Sequence, residues 1–254
     1  MLNISCSNVK KSTHYAFIDY LRGIALLMMF IYHFCFDLNY FQFIQTDFYH
    51  NPGWIYFRII IVSLFLWLVG ISLHLATTKK INKKRFAQRL TILIFASAVV
   101  SLSSYFTFPN SYIFFGILHF IALASLIGLF FIRYHTLNLV LGIVLIVIAT
   151  TYSNPLFNHP ALQWFGLMPS KPITEDYAPF LPWFGVVLIG LYSGSLLFKK
   201  RSLATLSTFI ENWSKQQSRQ RQILCCLGQH SLLIYLIHQP IFIGILYVFN
   251  LMLA

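Results

Sequence analysis

A histidine and an aspartate lie four residues apart in the first long apolar segment of this 254-residue chain, at His33 and Asp37. On a helix this spacing brings the two side chains to one face, where the carboxylate can hold the imidazole and raise its basicity. That is the arrangement a general base needs. The same pair could instead be a buried contact that only joins helices. Because ionisable groups inside an apolar segment are costly and tend to mark function, we treat both as candidates for catalysis.

A second charged pair, Asp19 and Arg22, lies nearer the start of the same segment. Its i, i+3 spacing allows an ion pair on a helix, which either anchors the helix at a membrane surface or faces a ligand. The distance from Arg22 to His33 is roughly 16 Å along a helix, about half the thickness of a bilayer core. This separation suits a ligand with an anionic head at one membrane face and a reactive tail that reaches inward.

Other polar residues fall into an outer and an inner group. The outer group is His50, Arg58, His119, Asp176 and Trp183. These side chains could form a catalytic or metal pocket, but no HxxxH or CxxC spacing occurs, so we predict no metal. Trp183 also fits an aromatic belt at the interface. The inner group is His74 and His238; the former is also explained as an interfacial residue, the latter as a hydrogen bond at the kink expected from Pro240.

The elements that must position these groups are membrane-spanning helices. The chain is 58% hydrophobic and only 9% charged, and its mean hydropathy is +0.71, which excludes an ordinary soluble domain. Apolar runs predict an all-α, polytopic membrane helix bundle with spans over residues 17–38, 54–77, 88–107, 112–132, 137–152, 180–198 and 231–252. Segment 203–213 is expected to be a loop or a surface helix. We predict a cytoplasmic tail over residues 1–16 and one transmembrane domain over residues 17–254.

The charge of the chain, +12 from 18 basic and 6 acidic residues, indicates membrane topology rather than nucleic-acid binding. With seven spans, 15 of the 18 cations fall on one side of the membrane. They are Lys10, Lys11, Lys79, Lys80, Lys83, Lys84, Arg85, Arg89, Arg133, Lys199, Lys200, Arg201, Lys215, Arg219 and Arg221. The positive-inside rule then predicts a cytoplasmic N-terminus and an extracytoplasmic C-terminus. The cysteines Cys6, Cys35, Cys225 and Cys226 are interpreted as packing residues.

Five short motifs resemble, in order, those of the heparan-alpha-glucosaminide N-acetyltransferase catalytic-domain family. They are Asp19-Tyr20-Leu21-Arg22-Gly23-Ile24-Ala25 with His33, Gly70-Ile71-Ser72-Leu73, Phe115-Gly116-Ile117-Leu118-His119, Leu181-Pro182-Trp183-Phe184-Gly185 and Tyr235-Leu236-Ile237-His238-Gln239-Pro240. The resemblance covers residues 15 to 250. Because it is to the small bacterial members of the family, it implies a location in a bacterial inner membrane. Arg22 and His33 also look like the Arg-x10-His signature of the wider transmembrane acyltransferase group.

The resemblance implies an integral-membrane acetyltransferase that takes an acetyl group from cytoplasmic acetyl-CoA to an amine or hydroxyl of an extracytoplasmic sugar or glycan. His50, followed by Trp54, is the closest match to the active-site histidine of the lysosomal member, whereas His33 matches the base of the wider group. Which of the two is the principal catalyst stays open, with Asp37 as its orienting carboxylate.

The other candidates receive roles from the same resemblance. Arg58, His119, Asp176 and Trp183 would bind the acceptor or stabilise the oxyanion. Arg22, Asp19, His74 and His238 would bind acetyl-CoA. Membrane lipid and a second copy of the chain, as a homodimer, are further partners that we consider. The main alternative is a proton-coupled transporter or flippase for a polar or lipid-linked solute, in which the buried His, Asp and Arg would relay protons. A non-enzymatic scaffold is a second alternative.

Overall fold

The structure, a computed structural model, describes residues 13–78, 82–107, 109–174, 176–197, 212–213 and 218–253. Its helices are α1 (Thr13–Tyr40), α2 (Pro52–Thr78), α3 (Lys83–Thr107), α4 (Ile117–Phe131), α5 (His135–Thr151), α6 (Phe180–Leu197), α7 (Arg219–Gln229) and α8 (Ser231–Leu253). Two short 3-10 helices, Pro155–Asn158 and Gln163–Phe165, lie between α5 and α6. The described residues contain no strand. Among the predictions, residues 1–12, Cys6, segment 203–211 and the cations Lys10, Lys11, Lys79, Lys80, Lys199, Lys200, Arg201 and Lys215 lie outside them.

The prediction of a polytopic helical membrane bundle is confirmed. Each of the seven predicted spans contains a helix, and α1, α2, α3, α6 and α8 are long and apolar enough to cross a bilayer. The other two, α4 and α5, have 15 and 17 residues, which is about 23 and 26 Å at 1.5 Å per residue. They are therefore shorter than a hydrocarbon core of roughly 30 Å.

Two differences from the predicted boundaries have local causes. Helix α4 begins at Ile117 rather than near residue 112, because Gly116 is extended and acts as its N-cap. Helix α7 is absent from the predicted spans because its first turn, Arg219 to Gln222, is polar and its apolar part is short. The side chain of Ser218 accepts a hydrogen bond from the backbone N–H of Arg221, which is a typical N-cap contact.

The described chain forms two compact units, and helix α2 contributes to both of them. The first unit comprises Met1–Phe65 and Leu203–Ala254, and the second comprises Leu66–Ser202. The core of the first unit is built from Leu26, Met29 and Tyr32 of α1 together with Phe48 and Ile61. These side chains are at most 8% exposed, so this core lies along one side of α1.

Helices α1 and α7 of the first unit touch backbone to backbone. A Cβ atom added at Gly23 would collide with the carbonyl oxygen of Leu224, and one added at Gly228 would collide with that of Asp19. Only glycine leaves room for such an approach. The two glycines therefore fix α7 against the first half of α1.

Helices α1 and α8 run in the same direction. The ring of Phe30 lies 5.5 Å from that of His238, and further along both segments Phe43 lies 5.7 Å from Phe249. Parallel spans start on the same side of the membrane, so an odd number of crossings must separate them. The five predicted spans between α1 and α8 satisfy this requirement.

The second unit is held together by close contacts of small residues on α2, α5 and α6. Cβ atoms at Gly70 and Gly190 would collide with backbone carbonyls of the facing helix, and Gly142 and Gly185 are similarly close to each other. The indole N–H of Trp67 also donates to the hydroxyl of a serine on α6 at 3.0 Å. Small residues that let backbones approach are typical of membrane helix pairs.

Candidate active site

Two histidines meet between α1 and α8 in the first unit. The ring centroids of His33 and His238 are 5.1 Å apart, and Phe30 and Phe242 pack against His238. The side chain of His238 is 7% exposed, and its Nδ1 lies 2.6 Å from the carbonyl oxygen of Tyr235. Since a carbonyl can only accept, Nδ1 carries the proton and Nε2 carries the lone pair of the neutral ring.

The placement of His238 beside His33 differs from the sequence analysis, which put His238 in the inner group. Position 238 is only seven residues from the start of α8, whereas His33 is twenty residues from the start of α1. The start of α8 therefore lies at a level partway along α1, and not beside the start of α1. This offset brings the two histidines to one level, and hydropathy carries no signal for it.

The carboxylate of Asp37 is bound by a glutamine that the sequence analysis did not single out. The side-chain amide of Gln239 donates from Nε2 to Asp37 Oδ1 at 2.8 Å. Asp37 is 3% exposed. Among the described residues Asp37 makes no hydrogen bond to His33, because its carboxylate is turned toward Gln239 on α8. The expected role of Asp37 in orienting His33 is therefore not supported by a hydrogen bond between these two described side chains.

His50 lies in the loop between α1 and α2, where an aspartate holds its ring. His50 Nδ1 is 2.9 Å from Asp47 Oδ2, and Asp47 Oδ1 accepts the backbone N–H groups of Tyr49 and His50. A carboxylate only accepts, so Nδ1 of His50 carries the proton and Nε2 offers its lone pair. The side chain of His50 is 86% exposed. This is the orientation of an imidazole that can take a proton from a bound molecule.

The backbone contacts also stabilise the charged form of Asp47. The N–H of His50 is the main cause, and together with the N–H of Tyr49 it lowers the pKa of the Asp47 carboxyl below its usual value. Asp47 stays ionised at acidic pH values at which an ordinary aspartate takes up a proton. Asp47 is not among the site residues predicted from the sequence, although a carboxylate three residues before a histidine in a loop is a signal that could have identified it.

Phe48 fixes this loop to the outer half of α1. It is 2% exposed, and its ring lies 4.4 Å from Trp54, 5.4 Å from Phe36 and 5.8 Å from Tyr32. Tyr32 in turn contacts the ring of its neighbour His33 at 5.7 Å. Aromatic edge-to-face contacts of this kind are directional, so they hold the loop in one position. His50 and His33 therefore lie at the same end of the first unit.

Arg58, on the next turn of α2, reaches the same cluster. The charge of Arg58 acts on the hydroxyl of Tyr32, so its guanidinium lies near that group. Arg58 is half-buried. A cation at this position can stabilise negative charge that develops on a nearby oxygen.

Asp19 and Arg22 form the ion pair that their spacing predicts. Arg22 Nη1 lies 3.0 Å from Asp19 Oδ1, and Asp19 is buried. Between the first half of α1, α7 and Trp213 is a cavity of about 210 Å³, whose lining does not include Asp19 or Arg22. It is lined by Tyr20, Trp213, Ser218, Gln220, Arg221 and Leu224. The guanidinium of Arg221 stacks on Trp213, with 4.6 Å between its central carbon and the ring centroid.

The remaining predicted site residues belong to the second unit. His119 accepts the backbone N–H of Gly116 at Nδ1 and contacts Ser101 Oγ through Nε2, both at 3.2 Å. Asp176 Oδ2 accepts the N–H of Ile117 at 3.1 Å. Both side chains therefore bind the first turn of α4, whose backbone N–H groups have no helical partner.

The contacts of His74 and Trp183 in the second unit do not indicate a catalytic or binding role. The rings of His74 and His135 are 5.9 Å apart, and His74 is buried at the end of α2. Trp183 lies half-buried in the first turns of α6. Within the described residues, no three His, Cys, Asp or Glu side chains converge as metal ligands.

Comparison with known proteins gives one match. The family model described as "Heparan-alpha-glucosaminide N-acetyltransferase, catalytic" matches residues 14–240. No curated protein and no solved structure matches the chain. The match extends over nine-tenths of the sequence and includes every candidate residue named above. The chain belongs to the heparan-alpha-glucosaminide N-acetyltransferase catalytic family and is an acetyltransferase-like membrane protein.

Proposed function

We propose that this protein transfers the acetyl group of acetyl-CoA to an amine or hydroxyl of an extracytoplasmic sugar, with His50 as the general base. The observation that carries the proposal is the Asp47–His50 contact. It sets the tautomer of an exposed imidazole and leaves Nε2 ready to accept a proton. The family match supports acetyl transfer as the reaction class.

The reaction would proceed by direct attack on the thioester. His50 Nε2 takes a proton from the acceptor N–H or O–H while the nitrogen or oxygen bonds to the acetyl carbon. The carbonyl oxygen becomes negative, and Arg58, whose charge acts on Tyr32, is the cation that would stabilise it. The C–S bond then breaks, and the thiolate of CoA takes the proton from the imidazolium. Acetylated acceptor and CoA thiol result, and the base is regenerated.

The donor would bind from the side of Asp19 and Arg22. The cavity lined by Tyr20, Trp213 and Arg221, at the same end of α1, offers an aromatic wall and a guanidinium, groups that suit a planar ring and an anion. In this proposal the N-terminus is cytoplasmic, so acetyl-CoA meets this end of α1 and the acceptor meets the end that carries His50. His33, with His238 beside it, lies along α1 between these two ends.

The test is incubation of membranes that contain the protein with radiolabelled acetyl-CoA, followed by identification of the labelled product. If His50 is the general base, His50→Ala should lower the transfer rate on the order of 10²- to 10⁴-fold. His33→Ala shows whether the second histidine shares this role, and His159→Ala, at an exposed histidine of the second unit, is the matched control. A wild-type rate in His50→Ala would exclude His50 as the base, and wild-type rates in both His50→Ala and His33→Ala would exclude either histidine. A transporter would show no binding of acetyl-CoA to the purified protein.

A further inference from the structure

Two buried oxygen atoms beside His33 have no hydrogen-bond donor. They are Asp37 Oδ2 and Gln239 Oε1, and no described residue donates to either of them. A buried acceptor left without a donor costs free energy, so such atoms are rare in folded proteins and call for an explanation. The two atoms belong to side chains that are themselves hydrogen-bonded to each other at 2.8 Å.

The orientation of the Gln239 amide follows from the chemistry of its partner. A carboxylate oxygen accepts and cannot donate, so the amide nitrogen must face Asp37 and Oε1 must point elsewhere. The contact uses one oxygen of Asp37 and leaves the other. The pair therefore presents two acceptor oxygens, and the one hydrogen that it can still donate is the second N–H of the amide. A molecule that satisfies both oxygens has to carry at least two N–H or O–H hydrogens.

We propose that Asp37 and Gln239 form the subsite that binds and orients the acceptor, through N–H or O–H groups of an amino sugar or a polyol. The inference rests on the proposed function, since it assigns a role within the same acetyl transfer. Asp37 binds the acceptor directly, and Gln239 both binds it and positions the carboxylate across the α1–α8 contact. The aromatic neighbour of Asp37, Phe36, packs against Phe48 and Tyr49, so the subsite lies at the level of the His50 loop.

The subsite predicts a division of labour that a structural hydrogen bond would not produce. His50 acts on the proton, so its loss lowers kcat. Gln239 acts on the position of the acceptor, so Gln239→Leu should raise the KM for the acceptor about tenfold while the KM for acetyl-CoA stays the same. A residue that only joins α1 to α8 would lower thermal stability without this selective effect.

The experiment measures sugar binding directly, as the melting temperature of the purified full-length protein in detergent. Glucosamine and glucose are the two probes, because they differ only in an amine and a hydroxyl at one carbon. At about ten times its dissociation constant a bound sugar should raise the melting temperature of the wild type by roughly 3–6 °C. A shift with glucosamine alone identifies an ammonium as the donor group, and a shift with both identifies hydroxyls. Gln239→Leu should lose the shift.

A double variant that exchanges the two side-chain types distinguishes loss of sugar binding from misfolding of a single variant. In Asp37→Asn with Gln239→Glu, the amide and the carboxylate trade places, and the pair keeps its hydrogen bond and two bare acceptors. This double variant should recover both the unliganded melting temperature and the sugar-induced shift. No shift in the wild type with either sugar overturns the subsite, and so does an equal shift in the wild type and Gln239→Leu. Absence of acetyl transfer in a protein that shows the shift overturns the proposed function instead.

Discussion

Asp47 holds the imidazole of His50 through Nδ1 at 2.9 Å while capping the backbone of the same loop. Both partners are exposed to solvent: 86% of the His50 side chain and 54% of the Asp47 side chain are accessible. Exposed ion pairs add little to stability. The contact therefore matters for the orientation and tautomer of the ring rather than for the fold. An imidazole that is free to rotate would present the correct nitrogen only part of the time.

Asp47→Asn should separate these two effects. Asparagine can still accept the N–H groups of Tyr49 and His50 with its side-chain oxygen, so the loop keeps its shape. Its NH₂ group can donate to Nδ1 instead of accepting from it, which favours the wrong tautomer of His50. We expect the kcat of acetyl transfer to fall on the order of 10²-fold with an unchanged melting temperature. Equal kcat values in the wild type and Asp47→Asn would show that Asp47 only shapes the loop.

The pKa of Asp47 predicts how this loop responds to acid. The hydrogen bond from the backbone N–H of His50 is the main reason that the pKa lies below the usual value of 3.8. Because the pKa is lowered in the folded state, the ionised carboxylate stabilises the loop fully above pH 3.8. This stabilisation disappears as the pH falls through the lower, folded-state pKa. Hydrogen exchange should therefore show protected Tyr49 and His50 amides at pH 5, and protection should disappear only below pH 3.8. Asp47→Ala is expected to lack protection at both pH values.

The contact between α1 and α7 can be tested with single methyl groups. Gly23→Ala and Gly228→Ala place a Cβ against a backbone carbonyl, which cannot move aside as a flexible side chain can. Overpacking of this kind costs about 1–3 kcal/mol, so the melting temperature in detergent should fall by several degrees. Gly244→Ala on α8 is the matched control, because nothing lies within 4 Å of its added Cβ. A fall of the same size in the control would mean that helix glycines matter here for another reason.

The spans could be predicted from sequence because each is a long apolar run that shows in hydropathy alone. Helix α7 could not, since its polar first turn resembles a loop and its position depends on the close contacts at Gly23 and Gly228. The Asp19–Arg22 pair was predictable from i, i+3 spacing on one helix. The His33–His238 and Asp37–Gln239 contacts were not, because they depend on how far α8 is offset along α1. Contacts within one helix or one loop can be found by spacing, whereas contacts between helices need the packing.

The imidazole of His119 could bind a substrate, but its contacts are those of a residue that caps a helix. Its ring accepts the N–H of Gly116 and contacts Ser101, so it completes the start of α4. His119→Ala should lower stability by about 0.5–2 kcal/mol, the range for loss of a helix cap. In the folded protein it should leave kcat and both KM values unchanged if capping is the whole role. A selective rise in the acceptor KM would instead restore the substrate-binding role that the sequence predicts for it.

The membrane topology can be tested at the two short helices. Because α1 and α8 are parallel, an odd number of spans separates them, so α4 and α5 must either both cross or both stay on one side. In a variant without native cysteines, Arg133→Cys lies between α4 and α5, and Asn158→Cys lies in the loop after α5. If both helices cross, a membrane-impermeant thiol reagent added outside intact cells should label position 158 and not position 133. Labelling at both positions would show that neither helix crosses, and labelling at 133 alone would reverse the orientation predicted from the basic residues.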